Sequence, residues 1–440
     1  MKCSTKTKKA IHDLLVAEYK EQILERSGVW VDELEQGLRE DFVALGRSVQ
    51  GELLSSYDEE RNGSTERCEC GGCAKRQLRR KARVLSVFGW VEYTRGYYLC
   101  SHCGQRKYRL DRGQGLQAGQ ANRGMARLMS MAGVSTSFAE ASQQIKDYLL
   151  VTVSPYTIRK ETYAAGRRQM KREAQEQQLS QQVESLQHRV RQLEGQVRLK
   201  RVYGSLDGAQ APTYQGWREV KNLTWYQSQQ RYGHPDQLQA TAIEYRSEIT
   251  SAQEFGQLLW SSALSYQADR AEELVFVCDG AVWIWKLVEH YFPEAVQIVD
   301  WYHACSYLTE IAHAAFADKA AAHEWLENTK TLLWRGELEA VLAACQVQQS
   351  HPQAREPAQK AITYYTNNRK RMDYPTYRQR GYFCGSGTVE SACKQIVTAR
   401  LKISGARWLE EHATLTAKAR AAYLSGPQHW QSLFDLPLGV

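Results

Sequence analysis

Three carboxylates are set apart by the residues around them. Asp207 closes the run Arg201-Val-Tyr-Gly-Ser-Leu-Asp207-Gly208, and Asp279 closes Leu274-Val-Phe-Val-Cys-Asp279-Gly280. Glu390 lies in the glycine-flanked segment Gly385-Ser-Gly-Thr-Val-Glu-Ser-Ala-Cys-Lys394. Carboxylates brought to one point repel one another and stay ionised only beside cations, and oxygen donors select Mg²⁺ or Mn²⁺. Two such ions roughly 3.5–4 Å apart clamp the attacking and leaving oxygens of an in-line phosphoryl transfer. If Asp207, Asp279 and Glu390 meet, their chemistry is that of a metal-dependent nuclease or strand transferase. Taken singly, each Asp-Gly pair is equally at home in a turn.

The elements that would bring them together can be read locally. A short apolar, β-branched run bounded by glycine fits a buried strand, so both aspartates are expected at strand ends, where open α/β sheets place their sites. Ser386 and Thr388 among the glycines start a helix whose apolar stripe is Val389, Ala392, Cys393, Ile396 and Val397. From about Lys200 onward a further strand is expected at Ala240–Arg246 and a helix at Ala252–Tyr266, which implies a mixed sheet with helices on its faces. The long stretch between Asp279 and Glu390 exceeds one connection. Its Ala304–Tyr365 portion reads as alanine-rich helix, an all-helical insertion.

The chain has 11 cysteines, and spacing separates them. Cys70-x₂-Cys73 and Cys100-x₂-Cys103 have the pattern of four thiolates around a structural Zn²⁺, with Arg83–Arg95 between them supplying a hairpin that turns near Gly89. This is a zinc ribbon, with Cys68 as a substitute ligand and His102 a weaker one. Cys278, Cys305, Cys345, Cys384 and Cys393 read as small buried hydrophobes. The net charge is +8, and it is local: Arg61 to Ser130 holds 15 Lys+Arg against 4 Asp+Glu. Such a concentration suits a phosphate-binding face.

Around this segment, residues 9–58 have the periodicity of a helical hairpin. Ser154-Pro155 is a helix start, cap followed by proline. Two short helices around it fit a helix-turn-helix, whose second helix would turn Tyr156, Thr157, Arg159 and Lys160 toward double-stranded DNA and Ile158 and Thr162 away from it. Leu179, Val183, Leu186, Val190, Leu193 and Val197 alternate steps of four and three, a heptad seam that must pair with another helix, in a homodimer or on its own chain. Nine of the 12 tryptophans lie between Trp217 and Trp408, most of them expected in the core. Trp408, beside Arg407 and downstream of Arg400 and Lys402, is the candidate to stack on unpaired bases. No apolar run approaches the roughly 20 residues that span a bilayer, and the start of the chain lacks a signal-peptide core, so a cytoplasmic protein with no membrane partner is expected.

The stretches Cys278–Lys286, Phe292–His303 and Gly385–Lys394 through Ala399–Trp408 resemble the ISKra-type bacterial insertion-sequence transposases, DDE enzymes with a ribonuclease-H-like core. The ending Ile403-Ser-Gly-Ala-Arg-Trp408 departs slightly from the family wording. The resemblance implies that Asp207, Asp279 and Glu390 form the catalytic triad. It also gives Asp300 and His303, an Asp-x₂-His pair, an auxiliary role near the insertion. The expected organisation is multi-domain α+β: N-terminal helices 1–60, zinc ribbon 61–112, helix-turn-helix 113–168, coiled-coil helix 169–200, ribonuclease-H-like α/β core 201–303 and 385–440, and helical insertion 304–384. The implied function is binding of terminal inverted repeats, followed by metal-dependent cleavage and strand transfer by a homodimer or higher oligomer on the DNA, nucleoid-associated when bound. Two alternatives share these residues: a ribonuclease-H-like nuclease without strand transfer, and a domesticated DNA-binding regulator that uses the N-terminal half alone.

Overall fold

The structure, a computed structural model, describes residues 2–435, so residue 1 and residues 436–440, at the ends of the first and last expected segments, lie outside it. It is a mixed α+β chain with one four-stranded and one five-stranded sheet. Its contacts divide the described residues into two units, 2–132 with 139–157, and 133–138 with 158–435.

In the first unit α1 (Thr5–Leu24) and α2 (Val31–Arg61) form the expected hairpin, with the Tyr19 hydroxyl donating to Asp41 at 2.5 Å. Strands β1 (Thr65–Arg67), β2 (Cys73–Ser86), β3 (Gly89–Cys100) and β4 (Arg106–Lys107) pair antiparallel in sequence order. The β2–β3 turn closes at Ser86 and Gly89, and Gly89 has φ +92°, which glycine adopts without strain. Helix α2 lies along β3, where Ser55 accepts the Thr94 amide at 2.9 Å and Asp58 the Gly96 amide at 2.7 Å. Gly51 permits this approach, because a Cβ there would sit 2.2 Å from the Glu92 carbonyl oxygen. Helices α3 (Arg109–Gln114), α4 (Arg123–Ser135), α5 (Phe138–Leu149) and α6 (Pro155–Gln181) follow. As expected, Ser154 caps α6, accepting the Thr157 amide at 3.2 Å.

The second unit is built on β5 (Arg201–Thr213), β6 (Gly216–Arg231), β7 (His234–Glu248), β8 (Glu273–Cys278) and β9 (Val296–Val299), in the order β7-β6-β5-β8-β9. The first three are antiparallel, whereas β8 and β9 run parallel to β5. The Val275–Cys278 stretch of β8 is fully buried, as a central parallel strand should be. α8 (Ala252–Tyr266) opens on a capping box between Ser251 and Glu254, and with α9 (Val282–Tyr291) it packs Phe255, Leu258, Ile284 and Val288 against Val202, Leu206 and Phe276. Between β9 and the Glu390 helix lie five α-helices: α10 (Trp301–Ala315), α11 (Lys319–Trp334), α12 (Leu338–Gln348), α13 (Arg355–Asn368) and α14 (Tyr374–Gln379). α15 (Gly387–Ala392) runs into a π-helix, Cys393–Leu401. That pair and α16 (Glu410–Leu424) supply Val389, Ile396, Val397 and Leu415 to a core with Ala211 and Val220, and α17 (Pro427–Asp435) ends the described chain.

The expected coiled-coil helix over 169–200 is corrected. Gln182 is extended (ψ 120°), α7 (Val183–Leu193) is a separate short helix, and Val197 lies outside any helix. Of the two pairings open to the seam, α7 takes the one on its own chain: Arg189 grips Asp269 at 2.7 and 2.9 Å and donates to the Leu264 carbonyl at 2.8 Å. The part of α6 assigned to the coil instead enters a buried ionic cluster. Lys418 of α16 meets Glu173 at 2.5 Å and Glu248 at 3.1 Å, and Arg246 of β7 lies 3.4–3.8 Å from Glu244, Glu176 and Glu173. Lys418 and Arg246 are almost completely buried, so each depends on its anionic partners. Glu173→Ala should therefore destabilise the protein by about 3–5 kcal/mol, the cost of stranding a buried charge. Denaturant unfolding checks this, and a loss below about 1 kcal/mol would mean that Glu248 alone holds Lys418.

Candidate functional site

Asp207 lies in the middle of β5, where a strand end was expected. The difference is explained by the neighbouring strand, since the β5–β6 hairpin continues to Thr213 while β8 stops at Cys278. Registers place the carboxylates on one level. β5 and β8 pair Arg201 with Glu273 through Gly204 with Phe276, and that offset, extended past the last pair, sets Asp207 level with Asp279. β8 and β9 pair Cys278 with Val299, so Asp300 comes next to Asp279. Extended past the strand ends, these offsets set three aspartates abreast at the carboxyl end of the parallel strands.

Glu390 reaches this level from α15, and the helix is fastened to Asp207. The Cys393 thiol donates to Asp207 Oδ2 at 3.2 Å, while Asn222, paired with Asp207 across β5–β6, donates from Nδ2 to Cys393 Sγ at 3.3 Å. Asp207 Oδ1 accepts the Gly208 amide at 2.7 Å. Burial pushes the Asp207 carboxyl above the usual carboxylate range, and the negative fields of Asp279 and Glu390 add to this against those hydrogen bonds. Glu390 is about half exposed and turns toward Lys394, 3.8 Å away. Asp279 Oδ1 accepts the Ala281 amide at 2.9 Å, and the Asp279 carbonyl accepts the Tyr364 hydroxyl at 2.7 Å. Asp207 feels the negative fields of Asp279 and Glu390, but among the described residues no three carboxylates bring their oxygens within 4.8 Å of one another.

Asp300 is completely buried and ties these parts together. Oδ1 accepts the His303 amide at 2.6 Å as the cap of α10, and Oδ2 accepts the Ser386 amide at the start of α15. The Trp301 amide reinforces the joint by donating to the Cys384 carbonyl at 2.7 Å. Asp300 thus positions the Glu390 segment against β9. The His303 ring is exposed, 5.7 Å from the Tyr307 ring and 5.9 Å from that of Tyr364. Asp300→Ala would leave two amides without acceptors at about 1–3 kcal/mol each. A fall in melting temperature is expected, and an unchanged temperature would show that the joint does not depend on Asp300.

The cysteine cluster differs from expectation in one ligand. Cys68, Cys70, Cys100 and Cys103 bring their sulfurs within 4.8 Å of one another, with Cys68–Cys103 and Cys70–Cys100 each at 3.6 Å. A tetrahedron of 2.3 Å zinc–sulfur bonds has edges of about 3.8 Å, so this donor set could hold one zinc ion. Cys73 is outside the cluster. It pairs with Arg67 as the first residue of β2 and faces solvent, while the next residue, Ala74, packs with Cys68, Tyr98 and Cys100. Backbone hydrogen bonding from Cys70 helps lower the Cys68 thiol to about 6, whereas at Cys70 the Gly72 amide is outweighed by hydrogen bonds with the neighbouring thiols and by desolvation, which raise that thiol to about 12.

The expected DNA contacts divide. Tyr156, Arg159 and Lys160 are exposed at the start of α6, Thr157 is half-buried, and Ile158 and Thr162 are buried. Lys402 and Arg407 are exposed. Arg400 and Trp408 are corrected to core residues. The Arg400 guanidinium is 1% exposed, donates to the Gly133 carbonyl at 2.8 Å and lies over the Phe138 ring, and burial lowers its pKa to about 10. Trp408 donates from Nε1 to the Leu401 carbonyl at 2.9 Å, and its backbone bridges to β5 through Tyr214 and Pro212. The exposed tryptophan nearby is Trp217, with Lys402 Nζ 5.7 Å from its ring.

Sequence reasoning missed Cys393 and Asn222 as partners of Asp207. Cys393 follows Glu390 by three residues, a helical neighbour spacing that could have flagged it. Asn222 carries no such signal, since it reaches Asp207 only through the β5–β6 register. Among the described residues no helix is long and apolar enough to cross a membrane. A search of curated proteins gave no match. A family model matches residues 24–433, nearly the whole chain, and the chain therefore belongs to the Uncharacterised protein family (UPF0236).

Proposed function

We propose that the chain is a DDE transposase: a DNA-binding enzyme that cleaves transposon ends and joins them to target DNA with Mg²⁺ or Mn²⁺. The observation that carries this reading is that Asp207 lies within electrostatic reach of Asp279 and Glu390, with Cys393 fastening the glutamate-bearing helix to the first aspartate. Carboxylate oxygens from neighbouring strands and a helix are hard donors of the kind that suits divalent cations. Bound there, such ions would supply a polarised water and neutralise the charge on the leaving oxygen. The chain's own residues set the geometry. β5 and β8 fix the two aspartates in register, Asp300 holds the Glu390 segment, and Lys394 lies beside Glu390, where a phosphate can approach.

The strand order, three antiparallel strands followed by two parallel to the first with helices on both faces, fits a ribonuclease-H-like core interrupted by a helical insertion. The same reading makes the four-cysteine hairpin a zinc ribbon. Helices α5 and α6 become a helix-turn-helix that presents Tyr156, Arg159 and Lys160 to terminal inverted repeats, and the active species is a homodimer or higher oligomer on DNA.

The test is incubation of full-length, zinc-loaded protein with linear DNA carrying the repeats that flank its gene, with a target plasmid and Mn²⁺. Nicked ends and joined products are expected. Cleavage without joining of pre-cut ends would identify a nuclease. Binding with neither reaction would reduce the chain to a regulator and overturn the proposal.

A further inference from the structure

Beside Asp279 a pocket of about 740 Å³ opens between α9 and the helices α10 and α13. Its volume is that of a site for a molecule of nucleotide size rather than for a duplex. Gly280 forms its inner edge, and the residue can approach Tyr364 so closely only because it lacks a side chain: a Cβ would lie 2.7 Å from the ring. Tyr364 is tied to the carboxylate strand by its hydrogen bond to the Asp279 carbonyl, and Tyr307 stacks on it with ring centroids 4.2 Å apart. The opposite wall carries Trp285, which is buried and whose indole N–H has no acceptor among the described residues. At the rim stand the exposed Lys286 and Asn367. Arg371 and Glu289, also on the wall, pair at 2.5 Å, and Lys360, the other exposed lysine of the lining, pairs with Glu356 at 2.7 Å, so Lys286 gives the rim its sign.

We infer that this pocket takes an unpaired nucleotide of the DNA strand passing Asp279, with the base beside Tyr307, its edge near Asn367, and its phosphate at Lys286. Each wall matches a part of such a ligand. Aromatic faces accept any base by stacking, an amide offers both a donor and an acceptor to a base edge, and an ammonium neutralises phosphate. A paired base cannot lay its face beside Tyr307, so occupancy requires local unpairing. Reaching the chemistry at Asp279 would then select DNA that is already opened or easily opened.

The inference rests on the proposed phosphoryl-transfer reading, yet binding tests it separately. Full-length protein is titrated, with Ca²⁺ in place of Mg²⁺, against a forked DNA duplex ending in unpaired nucleotides and against the fully paired duplex, with 2-aminopurine at the first unpaired position. The wild type should prefer the fork by about tenfold, within the range that stacking of one base supplies, and change the probe's fluorescence. Lys286→Ala and Tyr307→Ala should lose that preference and the fluorescence change, Tyr307→Phe should keep both, and all three should bind the paired duplex as the wild type does. Equal binding of fork and duplex by the wild type, or a preference intact in both alanine variants, overturns the inference. Cleavage in Mn²⁺ is measured on the same samples. Cleavage without fork preference leaves the transposase reading standing and removes the pocket, whereas fork preference without cleavage keeps the pocket and removes the reading.

Discussion

Asp279→Asn and Asp207→Asn are each expected to lower DNA cleavage by about 10³-fold or more while DNA binding is retained. The magnitude follows from the several kcal/mol of charge stabilisation that carboxylate-held cations supply, since each 1.4 kcal/mol is a factor of ten. Glu390→Gln should fall in the same class. Asp207 adds a readout that a merely structural residue would not give. Burial raises its carboxyl pKa in the folded protein, with Asp279 and Glu390 adding to the effect. The folded state therefore holds that proton more tightly than the unfolded chain does. Without Mg²⁺ or Mn²⁺ the protein should lose stability as pH rises from the unfolded aspartate value through the raised folded one. In zinc-loaded protein at neutral pH with no Mg²⁺ or Mn²⁺ added, Asp207→Asn should then melt at or above the wild-type temperature even though it is inactive. An active Asp207→Asn enzyme would remove Asp207 from the site. An inactive variant that also melts well below the wild type would make the residue structural.

What could be read in the sequence was local. The Ala252–Tyr266 helix carries its own start signal in the Ser251–Glu254 capping box, the β2–β3 turn is marked by Gly89, and Ser154-Pro155 opens α6. These depend on neighbours within four residues. Register, docking and burial do not. Asp207 sits mid-strand because β8 ends before β5, a fact about a strand 70 residues away. Arg400 and Trp408 have the composition of a DNA-contacting surface, but the π-helix and the bridge to β5 turn both inward, onto Phe138. The heptad over Leu179–Val197 is intact as a pattern and broken as a helix at Gln182, and the short helix that follows is held on its own chain by Arg189 and Asp269. Apolar period alone cannot say which surface a helix will find.

The same limit decides the metal ligands, and it leads to the second large effect: Cys68→Ala should lose bound zinc and Cys73→Ala should keep it. The segment Cys68-Glu-Cys70-Gly-Gly-Cys73 offers three thiols, and spacing favours the pair 70 and 73. The hairpin selects otherwise. With Arg67 opposite Cys73, residues 68–72 must make the turn, closed by the Cys68 amide on the Gly72 carbonyl at 2.8 Å with Gly71 at φ +83°. Side chains alternate along β2, so burying Ala74 beside Cys100 sends Cys73 to the opposite face. Gly72 has no room for a side chain, since a Cβ would lie 2.8 Å from His102 Cβ and 3.2–3.3 Å from the sulfurs of Cys100 and Cys70. Structural zinc supplies roughly 10–16 kcal/mol of apparent binding free energy that is also folding free energy. Losing one thiolate should therefore unfold the β1–β4 hairpins as well as release the ion. Zinc content per chain, read with a chromogenic chelator after gel filtration, should be close to one for wild type and Cys73→Ala and close to zero for Cys68→Ala and Cys100→Ala. Retention of zinc by Cys68→Ala together with its loss from Cys73→Ala would put the register of β1 on β2 in error and restore the spacing rule.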